Sequence, residues 1–380
     1  MNMSTLLSKE NAPSMKNPPD VKSKNMMLYA LKIWTMMKAI SAIAAFAVIF
    51  STMTTVSTAS AAESDSEKDL VAAFKESTPV AADADEIWGY VVEGCEKAYT
   101  GKEPITDVCY FRAIVNYKGE LAGAYPLPAC VKLPQGVRKH LVIAELSNTA
   151  LSHFILVEGS AVRQKLITDI VSASSGYDGV QIDFESVHAD DAGAFFSFLS
   201  AVKTGIGSKI LSVAVPARTR MVKDAFDYEP IVKIADRLII MAYDEHWKGS
   251  NPGPVASIEW CDKVAKYTRT VIPKEKLVMG VPLYGRSWQN NNYSREVNYS
   301  DVRKLGSSRK SQYAKHPKVE YERRVRVTVY YESVSSIMNK VKLYNGNDIG
   351  SIAFWRLGQG PDSVWPVLAK HYETKHRETR

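Results

Sequence analysis

Eight short apolar runs alternate with amphipathic stretches along the chain, and this alternation constrains the fold more than any other feature. The runs span residues 87–92, 107–115, 140–146, 177–185, 210–216, 237–243, 277–284 and 349–355. Between them lie stretches with apolar residues at helical spacing, such as residues 162–171. Eight parallel β-α-β units favour an α/β fold of the closed (β/α)8 TIM-barrel type. An open doubly wound sheet is the alternative, but residues 89–94 lack its glycine-rich phosphate turn.

The spacing of the runs also predicts the domain organisation. The interval between the seventh and eighth runs is much longer than the others, which predicts a small insertion at about residues 289–329. We expect the barrel to occupy residues 86–372, after a polar, alanine-rich linker at 62–85 and before a charged tail at 373–380. Helix N-caps are predicted at Asp190 and Ser257.

Residues 1–61 have the pattern of an export signal. Five lysines (Lys16, Lys22, Lys24, Lys32 and Lys38) precede the apolar run 39–50, and Ala59-Ser60-Ala61 follows as an A-x-A cleavage pattern. An uncleaved N-terminal membrane anchor is the alternative, if the apolar stretch extends upstream to Ile33. Both interpretations predict that the protein is exported to the cell envelope, the periplasm or the medium.

The charge distribution argues against a nucleic-acid partner. The formal net charge is +7, of which residues 1–61 contribute +4 and residues 301–326 contribute +6, so the rest of the chain is net acidic. A basic segment without a nucleic-acid motif is most simply a solvated surface, although an anionic cell wall could also contact it. We expect a monomer.

Cysteine and histidine usage predicts no metal site. The four cysteines, Cys95, Cys109, Cys130 and Cys261, have no zinc-site spacing, and the seven histidines form no H-E-x-x-H motif. Disulfides and buried free thiols are both compatible with an exported chain of this size.

Residues 178–185, D-G-V-Q-I-D-F-E, contain the chain's most informative carboxylates. Side chains alternate along a strand, so Gln181, Asp183 and Glu185 would face the barrel lumen, with Glu185 nearest the carboxyl-terminal mouth. Two lumen acids repel each other and lose hydration, which raises at least one pKa and keeps a proton available for catalysis. Alternatively, these acids pair with lumen lysines or arginines and only tie the barrel together.

This segment resembles the D-G-x-D-x-D-x-E signature of glycoside hydrolase family 18, the chitinase-like family. The similarity continues at residues 241–244 (M-A-Y-D), 280–286 (G-V-P-L-Y-G-R) and 353–358 (A-F-W-R-L-G), in family order. The resemblance implies retaining hydrolysis in which the substrate's 2-acetamido group is the nucleophile. Glu185 would be the acid and base, Asp183 would orient the acetamido group, and Tyr243 would donate a hydrogen bond to its carbonyl oxygen.

The resemblance also implies a sugar-binding surface and no metal or organic cofactor. The substrate-binding residues implied are Trp355, as the apolar floor under the cleaved sugar, with Asp244, Met241, Gln181, Tyr90 and Tyr284. Core packing is an almost equal alternative for Met241 and Tyr284.

Gln181 departs from the family pattern, which commonly has aspartate at that position. Glutamine cannot take a proton. We hypothesise that its amide donates to Asp183, holds Asp183 ionised and thereby keeps Glu185 protonated to higher pH.

These features predict an exported hydrolase of β-1,4-linked N-acetylglucosamine-containing glycans, either chitin oligosaccharides or peptidoglycan. Its partner would be that polysaccharide or oligosaccharide. One alternative is a chitinase-like carbohydrate-binding protein that has lost turnover, although such proteins usually replace the terminal glutamate. Another alternative is a hydrolase of N-linked glycans with the same catalytic signature.

Overall fold

The computed structural model describes residues 86–289, 293–305, 309–315 and 322–370. The predicted leader at 1–61, the linker at 62–85 and the charged tail at 373–380 lie outside the described residues. The strands are β1 Ile87–Val92, β2 Asp107–Val115, β3 Leu121–Ala122, β4 Arg138–Glu145, β5 Gly179–Phe184, β6 Ile210–Pro216, β7 Arg237–Met241, β8 Leu277–Pro282, β9 Gly285–Gln289, β10 Tyr293–Val297, β11 Arg309–Lys315, β12 Glu322–Tyr330 and β13 Ser351–Trp355.

Helices connect most of the barrel strands. They are α1 Thr149–Leu156, α2 Ala161–Ala173, α3 Ala192–Ile206, α4 Tyr228–Ile234, α5 Ile258–Val271, α6 Tyr299–Leu305 and α7 Val334–Gly346. Short 3-10 turns occupy Glu96–Ala98, Ser174–Gly176, Ala189–Asp191 and Lys274–Lys276. The cap at Ser257 is confirmed, because its side chain accepts from the Trp260 amide. The cap at Asp190 is wrong by one residue, because Asp191 precedes α3.

Eight parallel strands close into a barrel. The strands β1, β2, β4, β5, β6, β7, β8 and β13 pair in this order, and β13 pairs with β1 to complete the circle. Trp88 of β1 lies in register with Asp107 on one side and with Ala353 on the other. The predicted (β/α)8 TIM-barrel fold is therefore confirmed, and all eight predicted apolar runs contain a barrel strand.

A second, smaller sheet lies between the seventh and eighth barrel strands, where the sequence predicts an insertion. Its four antiparallel strands have the order β10-β9-β12-β11, and α6 connects β10 to β11 along the chain. We refer to residues 285–330 as the lobe. The lobe begins at Gly285, where an added Cβ would lie 2.4 Å from the Tyr330 carbonyl oxygen, so the close approach of β9 and β12 requires glycine there.

The alternation of side chains along β5 divides the barrel core into two layers. Val180, Ile182 and Phe184 pack in the outer core between sheet and helices. The Phe184 ring stacks on two rings of α3, Phe195 at 6.1 Å and Phe198 at 5.7 Å between centroids. The other face of β5 therefore points its polar side chains into the lumen, as predicted.

Charged residues at the starts of the strands close the amino-terminal end of the barrel. Glu86 accepts hydrogen bonds from Arg138 and Arg237 at 2.6 to 2.8 Å. Asp107 accepts from Arg138 at 2.7 Å and lies 2.7 Å from His140 Nε2. Burial alone would raise the pKa of both carboxyl groups, but these hydrogen bonds outweigh it and lower the pKa of each. We call these five residues the floor cluster.

All four cysteines are free thiols, and Cys109 and Cys261 are buried. Within the ranges that the structure describes, no helix combines the length and the hydropathy needed to cross a bilayer.

Candidate active site

Strand β5 and the residue that follows it, Glu185, place three polar side chains at increasing height toward the mouth of the barrel. Gln181 is completely buried, Asp183 is 5% exposed and Glu185 is exposed. The Glu185 backbone is fixed by its amide, which donates to the Glu145 carbonyl oxygen at 2.8 Å. The order matches the expectation that Glu185 lies at the carboxyl-terminal mouth, where barrel enzymes place their active sites.

The two carboxyl groups have strongly perturbed titration. Burial, together with the negative charge of Glu185, raises the pKa of Asp183 to about 8. Loss of hydration at the mouth, with the charges of Asp244 and Glu145, raises the pKa of Glu185 to about 7. Among the described residues neither forms an ion pair, and Asp183 Oδ1 is buried without a hydrogen-bond partner. The alternative that lumen lysines or arginines neutralise these acids therefore does not fit.

Gln181 lies beneath the site rather than on its surface. Its Oε1 accepts from the Tyr90 hydroxyl at 2.7 Å, and its Nε2 donates to Ser212 Oγ at 3.1 Å. This corrects two expectations. The Gln181 side chain is fully buried, so it is not available to a sugar in this structure. The hydrogen bond that its Nε2 donates goes to Ser212, and Asp183 Oδ1 has no hydrogen-bond partner. Asp183 is not held ionised either, since its pKa is raised.

Tyr243 follows β7 and lies near the candidate acids. Burial and the charges of Asp183, Glu185 and Asp244 raise the pKa of its hydroxyl, so the group keeps its proton and remains a hydrogen-bond donor. Its ring packs on Gly280 of β8, where an added Cβ would lie 2.9 Å from Tyr243 Cε1. The family-like segments 241–244 and 280–286 therefore contact each other, because the absence of a side chain at Gly280 leaves the space that the Tyr243 ring occupies.

Asp244 is held in a defined orientation at the mouth. Its Oδ1 accepts hydrogen bonds from the Tyr284 hydroxyl at 2.6 Å and from Arg286 Nη2 at 3.2 Å. The backbone of Asp244 has a φ of 58°, a left-handed conformation that aspartate tolerates better than most residues. Its side chain remains 46% exposed, so Asp244 is accessible to a ligand, whereas Tyr284 is almost completely buried and supports it.

An aromatic surface lies opposite these polar groups. Trp355 ends β13 and is partly exposed, and its ring makes edge contacts with Tyr90 and Phe111, each at 5.1 Å between centroids. Met241 packs with Trp355 against the same lumen cluster. Tyr90 is 3% exposed and bonded to Gln181, so it supports Trp355 from below. Trp355 is therefore the aromatic ring best placed to stack on a sugar.

The sequence interpretation missed Glu145 at the end of β4. Its Oε1 accepts from the Asn148 amide at 2.8 Å and its Oε2 from the Ser152 hydroxyl at 2.6 Å. These bonds fix a negative charge that contributes to the raised pKa of Glu185. The signal was present, because Glu145 is the last residue of an apolar barrel strand and Glu185 directly follows one.

The fold and the site together define a class. A closed (β/α)8 barrel with a proton-retaining carboxyl group, a second buried carboxyl group and an aromatic wall at its mouth is typical of barrel glycosidases. Residues 143–360 match the family model for glycosyl hydrolases family 18. The chain belongs to this family.

Two relatives from Bacillus species are named as a glycosylase and as a lytic enzyme. The chain is 30% identical over 237 residues to the putative sporulation-specific glycosylase YdhD of Bacillus subtilis (strain 168), covering 56% of this chain and 55% of that protein. It is 28% identical over 257 residues to the cortical fragment-lytic enzyme of Bacillus anthracis, covering 61% and 59%. The chain thus spans somewhat more than half the length of these two relatives.

The structure is similar to that of a chitinase from Chromobacterium violaceum ATCC 12472. The TM-score is 0.63 at 21% sequence identity, and the match covers 76% of this chain and 99% of that chain. At this identity the likeness supports the fold.

Proposed function

We propose that the protein is an exported glycoside hydrolase that cleaves β-1,4-linked N-acetylglucosamine-containing glycans with assistance from the substrate's acetamido group. The observation that carries the proposal is the pair of carboxyl groups at the carboxyl-terminal end of β5, Asp183 within the strand and Glu185 directly after it. Glu185 has a pKa of about 7 and reaches solvent, while Asp183 lies below it with a buried, unpartnered Oδ1. An acid that keeps its proton near neutral pH can protonate a glycosidic oxygen.

In the first step Glu185 donates its proton to the glycosidic oxygen and the bond to the anomeric carbon breaks. The acetamido carbonyl oxygen of the same sugar attacks that carbon, which gives an oxazolinium ion and a free alcohol. Asp183 Oδ1 accepts the acetamido N–H, and the Tyr243 hydroxyl donates to the carbonyl oxygen. Both contacts hold the acetamido group in the geometry needed for attack.

In the second step the Glu185 carboxylate takes a proton from water, and the water oxygen attacks the anomeric carbon. The ring of the oxazolinium ion opens, the acetamido group is restored and Glu185 is protonated again. Two inversions at one carbon retain the anomeric configuration. The apolar face of the sugar stacks on Trp355, and the exposed carboxylate of Asp244 accepts a hydrogen bond from the substrate.

Peptidoglycan is the substrate that we favour within this class. The support is the naming of the two relatives as a sporulation-specific glycosylase and a cortical fragment-lytic enzyme. Export is part of the same proposal, because peptidoglycan lies outside the cytoplasmic membrane and residues 39–61 have the pattern of a signal segment.

Hydrolysis should depend on the acetamido group. We expect release of 4-nitrophenol from the chitobioside but not from the cellobioside, whose 2-hydroxyl group cannot form an oxazolinium ion. Spectrophotometric rates on the two compounds measure this dependence, and proton NMR of the first product reports its anomeric configuration. Equal rates on both compounds, or an inverted product, would contradict the substrate-assisted mechanism. Glycan binding without hydrolysis of chitin or peptidoglycan would favour a carbohydrate-binding protein.

The pH dependence should follow the protonation of Glu185. Because the acid form is required and its pKa is about 7, we expect kcat/KM to fall as pH rises above 7. Gln181→Asp places another carboxylate below Asp183, whose charge should raise both pKa values and move the alkaline limb upward by about one pH unit. Gln181→Asn, which adds no charge, is the control. A pH profile that Gln181→Asp leaves unchanged would show that Gln181 does not influence these acids.

A further inference from the structure

Positive charge is concentrated on two paired strands of the lobe, β11 and β12, which we call the lobe hairpin. These strands carry one acidic residue, Glu322, and six basic residues: Arg309, Lys310, Lys315, Arg323, Arg324 and Arg326. Their net formal charge is +5, whereas the rest of residues 62–380 sums to −2. A single hairpin therefore accounts for the basic character of the chain beyond its amino-terminal segment.

The backbone register brings the basic positions close together. Tyr313 pairs with Arg324, Ser311 with Arg326 and Ala314 with Arg323. Within the described part of the lobe, β11 is an edge strand of its sheet. Lys315 pairs with the single acid, Glu322, and no register pair places two bases opposite one another. Six bases against one acid on two paired strands give this part of the lobe a positive electrostatic potential that attracts an anionic polymer.

The same sheet connects the lobe hairpin to the candidate site. Tyr330 of β12 lies in register with Arg286 of β9, whose guanidinium group donates to Asp244. At about 3.3 Å per residue along β12, Arg326 lies about 13 Å from Tyr330 and Arg323 lies about 23 Å from it. A polymeric glycan that leaves the mouth on this side passes the lobe hairpin, whereas a short substrate in the site does not reach it.

We infer that the lobe hairpin binds the carboxylate groups of peptidoglycan while its glycan strand occupies the candidate site. The inference rests on the proposed function and names the feature that selects the polymer. Chitin is uncharged and offers these bases no partner, whereas peptidoglycan carries carboxylates on its lactyl ethers and peptide stems. Nucleic acid is also negatively charged, as peptidoglycan is. A glycan is favoured because the lobe sheet connects the hairpin to Asp244 in the candidate active site.

The test is a charge-neutralised variant, Arg323→Gln/Arg324→Gln/Arg326→Gln, with a matched control that removes three positive charges from the outer helices, Lys165→Gln/Lys233→Gln/Lys266→Gln. These three lysines are 59%, 70% and 66% exposed. Co-sedimentation with purified peptidoglycan, with carboxyl-amidated peptidoglycan and with chitin measures binding. We expect the hairpin variant to bind peptidoglycan about tenfold more weakly at low salt, with chitin binding and the chitobioside rate unchanged. The control should bind as the wild type does.

Wild-type binding provides a second measurement, which does not depend on the folding of a variant. Affinity for peptidoglycan should fall with added salt and with amidation, and affinity for chitin should not. Equal binding by the hairpin variant and the control, or salt-independent binding, would overturn the inference and leave the proposed function standing. The inference would also be overturned if the hairpin variant lost the ability to bind double-stranded DNA but bound peptidoglycan as the wild type does. A wild type that binds peptidoglycan through the lobe hairpin but cleaves no glycan would instead refute the proposed function.

Discussion

Replacing Glu185 with glutamine should lower kcat by about 10²- to 10⁴-fold with little change in KM, because the amide cannot donate or take the proton that both steps require. The loss should be larger for a glycan, whose alcohol leaving group needs protonation, than for a 4-nitrophenyl glycoside, whose leaving group departs readily as an anion. Steady-state rates on the two kinds of substrate give both numbers. The substitution preserves size and shape, so folding should be unaffected.

Glu229→Gln is the matched control for this variant. Glu229 lies on α4 with its side chain 65% exposed and paired with Lys233 on the same helix, so the same chemical change should leave activity intact. If Glu185→Gln retained wild-type kcat while Glu229→Gln behaved normally, another group would have to be the proton donor. Reduced glycan affinity with unchanged kcat would assign Glu185 to binding rather than to proton transfer.

The elements of the barrel could be predicted from sequence because they depend on local pattern. Each barrel strand is a short apolar run between helical stretches, and alternation along β5 was enough to assign Asp183 to the lumen and Phe184 to the outer core. The insertion was predicted from a long interval alone. The four-stranded antiparallel sheet within this insertion was not predicted, because its strands lie in a polar, basic segment with only a weak apolar pattern.

The partners within the site could not be predicted, because they come from distant strands. Gln181 bonds to Tyr90, 91 residues away, and to Ser212, 31 residues away. A strand pattern shows which face a side chain occupies but not which side chain lies across the lumen. The hypothesis about the Gln181 amide was wrong for this reason, since it considered the neighbouring Asp183 on the same strand and omitted the hydroxyl groups on β1 and β6.

Stability should depend strongly on the floor cluster. Asp107→Ala removes a fully buried carboxylate that accepts hydrogen bonds from Arg138 and Thr106 and contacts His140, and leaves these groups without their anion. Removing one partner from a buried ion pair typically costs about 3–5 kcal/mol. We expect the free energy of unfolding to fall by about 3 kcal/mol, at the lower end of this range, because Arg138 still donates to Glu86 and is partly exposed to solvent. Urea unfolding at neutral pH measures this difference. Activity at temperatures well below unfolding should persist, because Asp107 lies at the opposite end of the barrel from Glu185.

The pH dependence of this loss separates charge pairing from simple packing. The pKa of Asp107 is lower in the folded than in the unfolded state, so its contribution is present above the ordinary aspartate pKa, near 4, and is lost as pH falls through the folded value. The gap between the wild type and Asp107→Ala should therefore narrow in acid. Asp169→Ala, which removes a surface pair with Lys165, should cost less than about 1 kcal/mol at neutral pH. A gap of equal size at acid and neutral pH would mean that Asp107 stabilises the barrel by packing and neutral hydrogen bonds rather than through its charge.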